Sequence, residues 1–342
     1  MRSLGQHVEK RLAENGRMRR CWAMDLFLGV DAGGTKTRAV LADATGLVCG
    51  TGEAGPGNWQ AVGATAAGAA IYGAVNQALM GAGAKAAAVR GSFFGLAGVR
   101  TVEERALVKA ELRRLALGGV SEIGGDLEVA HAGALAGGIG VVIIAGTGSA
   151  AWGKNARGES AQAGGWGWLV DDAGGGYWLA LRGLRAACEA EDGRGKATEL
   201  GGRAREYFAA PGLREVLQEL HAGGRDRAAV AGFAREVRVA ARAGDAMAAL
   251  CVRAASAELL RMAEAVRARL SPNMAAMNFP LAVTGGLGMG EVVAEDALRK
   301  GFFPVEPWAE SVLGAVLLAA RAGGVVWGAA ERVLLTSPGS GG

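Results

Sequence analysis

The chain is poor in several residue types, and each shortage narrows its nature. It has 4 cysteines, 3 histidines and 3 tyrosines in 342 residues. Cys21, Cys49, Cys188 and Cys251 stand far apart, with neither disulfide-framework nor metal-ligand spacing. They read as reduced thiols of a cytoplasmic protein. No long unbroken hydrophobic run is present. The longest apolar stretch, 311–330, is interrupted by Arg321 and four glycines, so a helix packed on a sheet is expected there rather than a membrane span. Net positive charge is also absent outside the start of the chain. The net charge is +4, and Arg2, Lys10, Arg11, Arg17, Arg19 and Arg20 against Glu9 and Glu14 account for all of it. No basic face for nucleic acid is expected from the remainder. Residues 1–24 lack an apolar core before Cys21 and make a poor signal peptide. Three readings compete for them: a dispensable extension with Met24 as the true start, a surface helix, or a targeting peptide.

Glycine is abundant, at 58 residues, and the chain is long enough for two domains with sizeable cores. The glycines concentrate at the ends of apolar runs. Phe27-Leu28-Gly29-Val30 delivers Asp31 to the edge of a buried strand, followed by Gly33, Gly34, Thr35, Lys36 and Thr37. Glycines without Cβ permit a tight turn with φ > 0. Bare amides beside the Thr35 and Thr37 hydroxyls suit an anion. Asp31 next to a phosphate suits a divalent cation such as Mg2+. The spacing from Gly29 to Gly34 approaches a Walker phosphate loop, but Thr35 stands where that loop needs lysine, and 37–43 reads as a strand. The pattern is therefore a strand–turn–strand hairpin. Val141-Val142-Ile143-Ile144-Ala145 repeats it, with Gly146, Thr147, Gly148 and Ser149 as the turn. Two matching hairpins imply two similar half-domains that hold one nucleotide's phosphates.

Elsewhere, helices are expected over 60–81, 103–117, 177–191, 203–210, 213–222, 225–243, 246–270 and 310–321, and strands over 42–50, 86–95, 127–130 and 281–284. The tail from Ser337 is expected to fray. Trp166 and Trp168 lie in a run of glycines from Gly164 to Gly176 that packing alone explains poorly.

The sequence resembles the sugar kinase/Hsp70/actin superfamily, and within it the N-acetylglucosamine kinase branch of the BadF/BadG/BcrA/BcrD ATPase family. The matching pieces run in order: Asp31 to Thr37, Gly95-Leu96-Ala97-Gly98, Gly146 to Ser149, Gly164 to Trp178, and Thr284 to Gly288. The resemblance implies an α/β fold of two actin-like, ribonuclease H-like half-domains with a nucleotide cleft between them. The expected division is 25–131 and 132–335, with 336–342 as a tail.

It also implies ATP and Mg2+ as cofactors and an amino sugar such as N-acetylglucosamine as acceptor. Asp31 would serve the metal. Gly33, Gly34, Thr35, Lys36, Thr37, Gly146, Thr147, Gly148 and Ser149 would grip phosphates. Thr284, Gly285, Gly286, Leu287 and Gly288 would lie by the adenosine. Asn58, Trp59, Gly165 and Trp166 would meet the sugar, with Asp172 near both sugar and phosphate; Ala173 stands where the family usually has Glu. A homodimer is a further implication. On this alignment His131 takes the place of the family's catalytic Asp. It is then a working base, the mark of a different substrate, or the mark of lost kinase activity. Asp126 is expected at the start of a strand and turned elsewhere. Two alternatives to a kinase stay open: an ATPase that activates a partner enzyme, and an ATP- or sugar-binding sensor. The activators hold an iron–sulfur cluster with cysteines, for which Cys188 and Cys251 are poorly set.

Overall fold

A computed structural model describes residues 25–99, 101–271 and 279–336. The 1–24 extension and the tail from Ser337 lie outside them. Two compact units are present, one formed by the chain up to Gly138 together with the segment from Pro307, the other by Ile139–Glu306.

The first unit is built on a five-stranded sheet in the order β3-β2-β1-β4-β5. Its strands are β1 (Leu26–Ala32), β2 (Thr37–Asp43), β3 (Val48–Ala54), β4 (Val89–Leu96) and β5 (Val120–Gly125). β1, β2 and β3 form the antiparallel meander that the glycine turn implies, while β4 and β5 run parallel to β1. Side chains alternate across β1 as strand geometry requires. Leu26, Leu28 and Val30 meet helix α1 (Trp59–Ala82) through its Ile71, Ala74, Val75 and Ala78. Phe27 faces the opposite layer with Val40, Phe93 and Val129. That layer contains α3 (Asp126–Ala134) and α11 (Ser311–Ala322), and α2 (Val102–Leu112) precedes β5 in the chain.

The second unit repeats this topology. Its sheet has the order β10-β9-β6-β7-β8, from β6 (Gly140–Ala145), β7 (Ser149–Lys154), β8 (Ser160–Gly164), β9 (Phe279–Thr284) and β10 (Phe302–Pro304). Read in chain order, each sheet is a three-strand meander followed by two parallel strands. Val141 and Ile143 pack against Leu179, Leu259, Leu260 and Ala263 from the helices α4 (Gly176–Glu191) and α9 (Ala246–Leu270). The other helices of this unit are α5 (Leu200–Phe208), α6 (Leu213–His221), α7 (Arg227–Gly232), α8 (Ala234–Arg242) and α10 (Gly290–Arg299); α12 (Ala329–Thr336) belongs to the first unit. The pair of half-domains expected from the sequence is thus present.

Three expectations are corrected. The segment 127–130 is not a strand: the strand is β5, and 127–130 lies inside α3. The run expected as one helix over 225–243 is two helices that break at Phe233. The division at 131/132 also fails, because α3 completes the first unit and residues 307–336 return to it. α11 is required there to cover the Phe27 and Phe93 face.

Candidate functional site

In the first unit the candidate residues gather at the carboxyl ends of β1, β4 and β5, the edge at which open α/β sheets bind ligands. Gly33 N–H donates to the Lys36 carbonyl at 3.0 Å and closes the turn. Gly33 and Gly34 do not adopt positive φ, contrary to the reading of the sequence. What they supply is room, since no atom lies within 4 Å of a Cβ placed on Gly34. Gly34, Thr35 and Lys36 are exposed, and the Lys36 ammonium pairs with Glu53 at 3.0 Å. Thr37 is fully buried, and its Oγ1 has no hydrogen-bond partner.

Asp31 is largely withdrawn from solvent, with its side chain 17% exposed. Burial pushes its pKa up to about 6; Arg38 opposes the rise, and the charges of Asp126 and Glu310 add to it. Asp126 is the first residue of α3, directly after β5. A carboxylate there is favoured by the amide dipoles of the helix start. Asp126 Oδ1 accepts from Leu127 N–H at 3.0 Å, and its charge is felt at Asp31. His131 is five residues further along α3 and buried, 2% exposed.

Asn58 caps α1, its Oδ1 accepting from the N–H groups of Gln60 and Ala61 at 3.1 Å each. The cap is tied to β4, because Trp59 N–H donates to the Ala97 carbonyl at 3.1 Å. Trp59 itself is a core residue, packed with β1 and α1 rather than presented to a ligand.

In the second unit the turn 146–149 and the start of α4 are stitched together. Gly176 N–H donates to the Gly146 carbonyl at 2.8 Å and Tyr177 N–H to the Thr147 carbonyl at 2.9 Å. Ser149 Oγ donates to the Ala173 carbonyl at 2.7 Å. Asp172, with φ 56°, is wedged beneath the turn: a Cβ on Gly148 would sit 2.3 Å from its Oδ2. Burial raises the Asp172 pKa, Arg227 lowers it, and Asp171 raises it again. The turn 285–288 adjoins the same strand ends. Gly285, at φ 103°, leaves no space for a side chain beside the Ala145 carbonyl, which accepts from Leu287 N–H at 3.1 Å. Arg238 on α8 donates to the Leu287 carbonyl. Gly165 has φ 74°, and beyond it Trp166, Leu169 and Val170 project outward, 76%, 78% and 82% exposed.

Each unit therefore brings its own candidates together: Asp31, the 33–36 turn and Asn58 in one, and the 146–149 turn, Asp172 and the 284–288 turn in the other. Sequence reasoning missed Arg38, Asp126, Glu310 and Arg238. For Asp126 a signal existed, namely an acid after the short glycine-ended strand 120–125.

Residues 28–319 match the profile of the BadF/BadG/BcrA/BcrD ATPase family. Among curated proteins, the N-acetylmuramic acid/N-acetylglucosamine kinase of Clostridium acetobutylicum is 26% identical over 243 residues, covering 71% of this chain and 79% of that one. The N-acetyl-D-glucosamine kinase of Dictyostelium discoideum is 33% identical over 185 residues, covering 52% of this chain and 58% of that one. Among solved structures, a candidate N-acetylglucosamine kinase of Chromobacterium violaceum superposes with a TM-score of 0.70 at 26% identity, covering 86% of this chain and 99% of that one.

Proposed function

The chain belongs to the BadF/BadG/BcrA/BcrD ATPase family, and from that premise we propose that it is an ATP-dependent kinase of an N-acetylated amino sugar. Two curated relatives named as N-acetylglucosamine kinases support the acceptor class. The observation that carries the reading is the placement of two acids at neighbouring strand ends of one sheet, Asp31 near the end of β1 and Asp126 directly after β5, with the charge of Asp126 helping to raise the Asp31 pKa. Hydrolysis or mere binding needs only the phosphate turns. Transfer to a hydroxyl also needs a group that receives its proton.

Phosphoryl transfer asks a protein chiefly to position its reactants and neutralise charge. The turns 33–36 and 146–149 take the phosphates, and the turn 284–288 lies by the adenosine. Asp126 accepts the proton of the attacking sugar hydroxyl. His131, buried within α3, has a packing role instead. The Asn58 Oδ1 is committed to its helix cap, so its Nδ2 amide is what it offers a sugar hydroxyl. Trp166 presents an exposed ring to a sugar face. Asp172, its pKa raised, suits a hydrogen bond to a sugar hydroxyl.

Among the described residues, no three His, Cys, Asp or Glu side chains come together as a metal cage. That is compatible with Mg2+, which takes one or two carboxylates and completes its shell from phosphate and water. The largely buried Asp31 carboxylate is of the right chemistry to hold it, and bound Mg2+ would neutralise phosphate charge. Among the described residues no helix is long and apolar enough to cross a membrane; use of ATP is what supports a cytoplasmic location as part of the proposal. The family resemblance adds a homodimer as its assembly.

The test is ADP release from magnesium-ATP across a panel of amino sugars. Turnover should be sugar-stimulated and greatest for an N-acetylated hexosamine. Turnover that no sugar stimulates would overturn the kinase reading.

A further inference from the structure

Arg38 holds two carboxylates of different kinds. Its Nη2 lies 3.6 Å from Asp31 Oδ2, an ion pair without a close hydrogen bond, while its Nη1 donates directly to Glu310 Oε2. Asp31 and Arg38 are opposite one another in the β1–β2 register. Glu310 arrives from the far end of the chain, as the residue preceding α11.

Glu310 occupies the cap position of α11, yet its side chain makes no capping bond. It turns to Arg38 instead. Its backbone is held firmly, because Ala309 N–H donates to the Gly133 carbonyl at 3.0 Å and Trp308 N–H to the Ala134 carbonyl at 2.9 Å. A Cβ on Gly133 would sit 2.5 Å from the Glu310 carbonyl oxygen, so α3 and this segment are in direct backbone contact. The backbone that carries the Glu310 carboxylate is thus held against α3 by main-chain bonds that do not involve Asp31.

A divalent cation beside Asp31 would meet the positive charge of Arg38. The guanidinium, half of it already bonded elsewhere, can yield without losing every partner. We propose that Arg38 is a resident counter-cation: it balances Asp31 before the metal arrives and is retained on Glu310 afterwards. Glu310 is then a positioning residue that keeps Arg38 out of the metal's place. The inference rests on the kinase reading, in which Asp31 holds the cation.

The distinguishing consequence is that Glu310 acts only through Arg38. The experiment is a Mn2+ titration of the ADP-loaded full chain, followed by electron paramagnetic resonance, with thermal unfolding as a check that each variant folds. Glu310→Gln should weaken Mn2+ binding by about threefold to tenfold, toward the lower end of the coupling seen within one charge network. Arg38→Met should bind Mn2+ at least as tightly as the wild type. The double variant should behave as Arg38→Met alone, and Arg38→Lys should restore the sensitivity to Glu310→Gln.

Equal weakening by Glu310→Gln in both backgrounds would show that Glu310 acts by its own field, and would overturn the proposal. Weaker Mn2+ binding by Arg38→Met would overturn it too. If Asp31→Asn leaves Mn2+ affinity unchanged, the cation reading itself falls, a result separate from the other two.

Discussion

Asp31 and Arg38 face each other across the first hairpin, 3.6 Å apart, and the arginine does not fully compensate the burial of the acid. The folded-state pKa, about 6 against an ordinary 3.8, means that the folded chain holds a proton that the unfolded chain has released. Stability therefore falls as pH rises between those two values. Asp31→Asn should consequently be more stable than the wild type at pH 7 and above, by roughly 2–3 kcal/mol at most. The gain should shrink as pH falls through 6 toward 3.8. Denaturant unfolding of the nucleotide-free protein at a series of pH values checks this, and kinase activity should be lost in the same variant.

The same acid sets a pH limit on metal use. Below about 6 Asp31 carries a proton and cannot ligate a hard cation. Affinity for Mg2+ should weaken as pH drops through that value, and excess Mg2+ should move the fall to lower pH. Calorimetric titration of Mg2+ into the ADP complex at several pH values measures both effects.

Asp126 and His131 are separated by one and a half turns of α3, and they should fail differently. Asp126→Asn should lower kcat by about 10²–10⁴, the usual contribution of a general base, while ATP affinity is kept. His131→Asn should instead destabilise by about 1–3 kcal/mol, as buried substitutions do, with the pH profile of kcat unmoved. Steady-state kinetics and thermal unfolding of both variants separate the roles.

Glycines at the two phosphate turns serve different ends. A methyl group at Gly148 would press on Asp172 at 2.3 Å, whereas one at Gly34 meets nothing within 4 Å. Gly148→Ala should cost about 1–3 kcal/mol of stability, as overpacking does, and displace Asp172. Gly34→Ala should unfold at the wild-type temperature and show its effect only in nucleotide binding.

Much of the fold was legible because each glycine turn follows a strongly apolar strand. Phe27 to Val30 and Val141 to Ile144 mark the first strand of each sheet without ambiguity. β5 was not legible: Val120-Ser121-Glu122-Ile123-Gly124-Gly125 is an edge strand, largely exposed, with little apolar content to announce it. The next apolar run, 127–130, reads as the strand in its place. Leu127, Glu128 and Val129 alternate in polarity as a strand would, although they lie in a buried helix. Five residues of α3 separate the base expected from the sequence, His131, from the base proposed above, Asp126. Arg38 and Glu310 were beyond sequence reasoning for another reason, since their pairing depends on a return of the chain from residue 307 that no local pattern encodes.

That return also orders events during synthesis. Residues 139–306 form one continuous unit, so all of its sheet has been synthesised before Ser311 is added. The first sheet is made earlier but must wait for α11 to cover Phe27, Val40 and Phe93. The later-made unit can mature first, and the earlier one stays sticky on one side until the last helices emerge. A nascent chain halted short of Ser311 would carry that bare aromatic face, the surface a chaperone would guard and the seed of aggregation if none did.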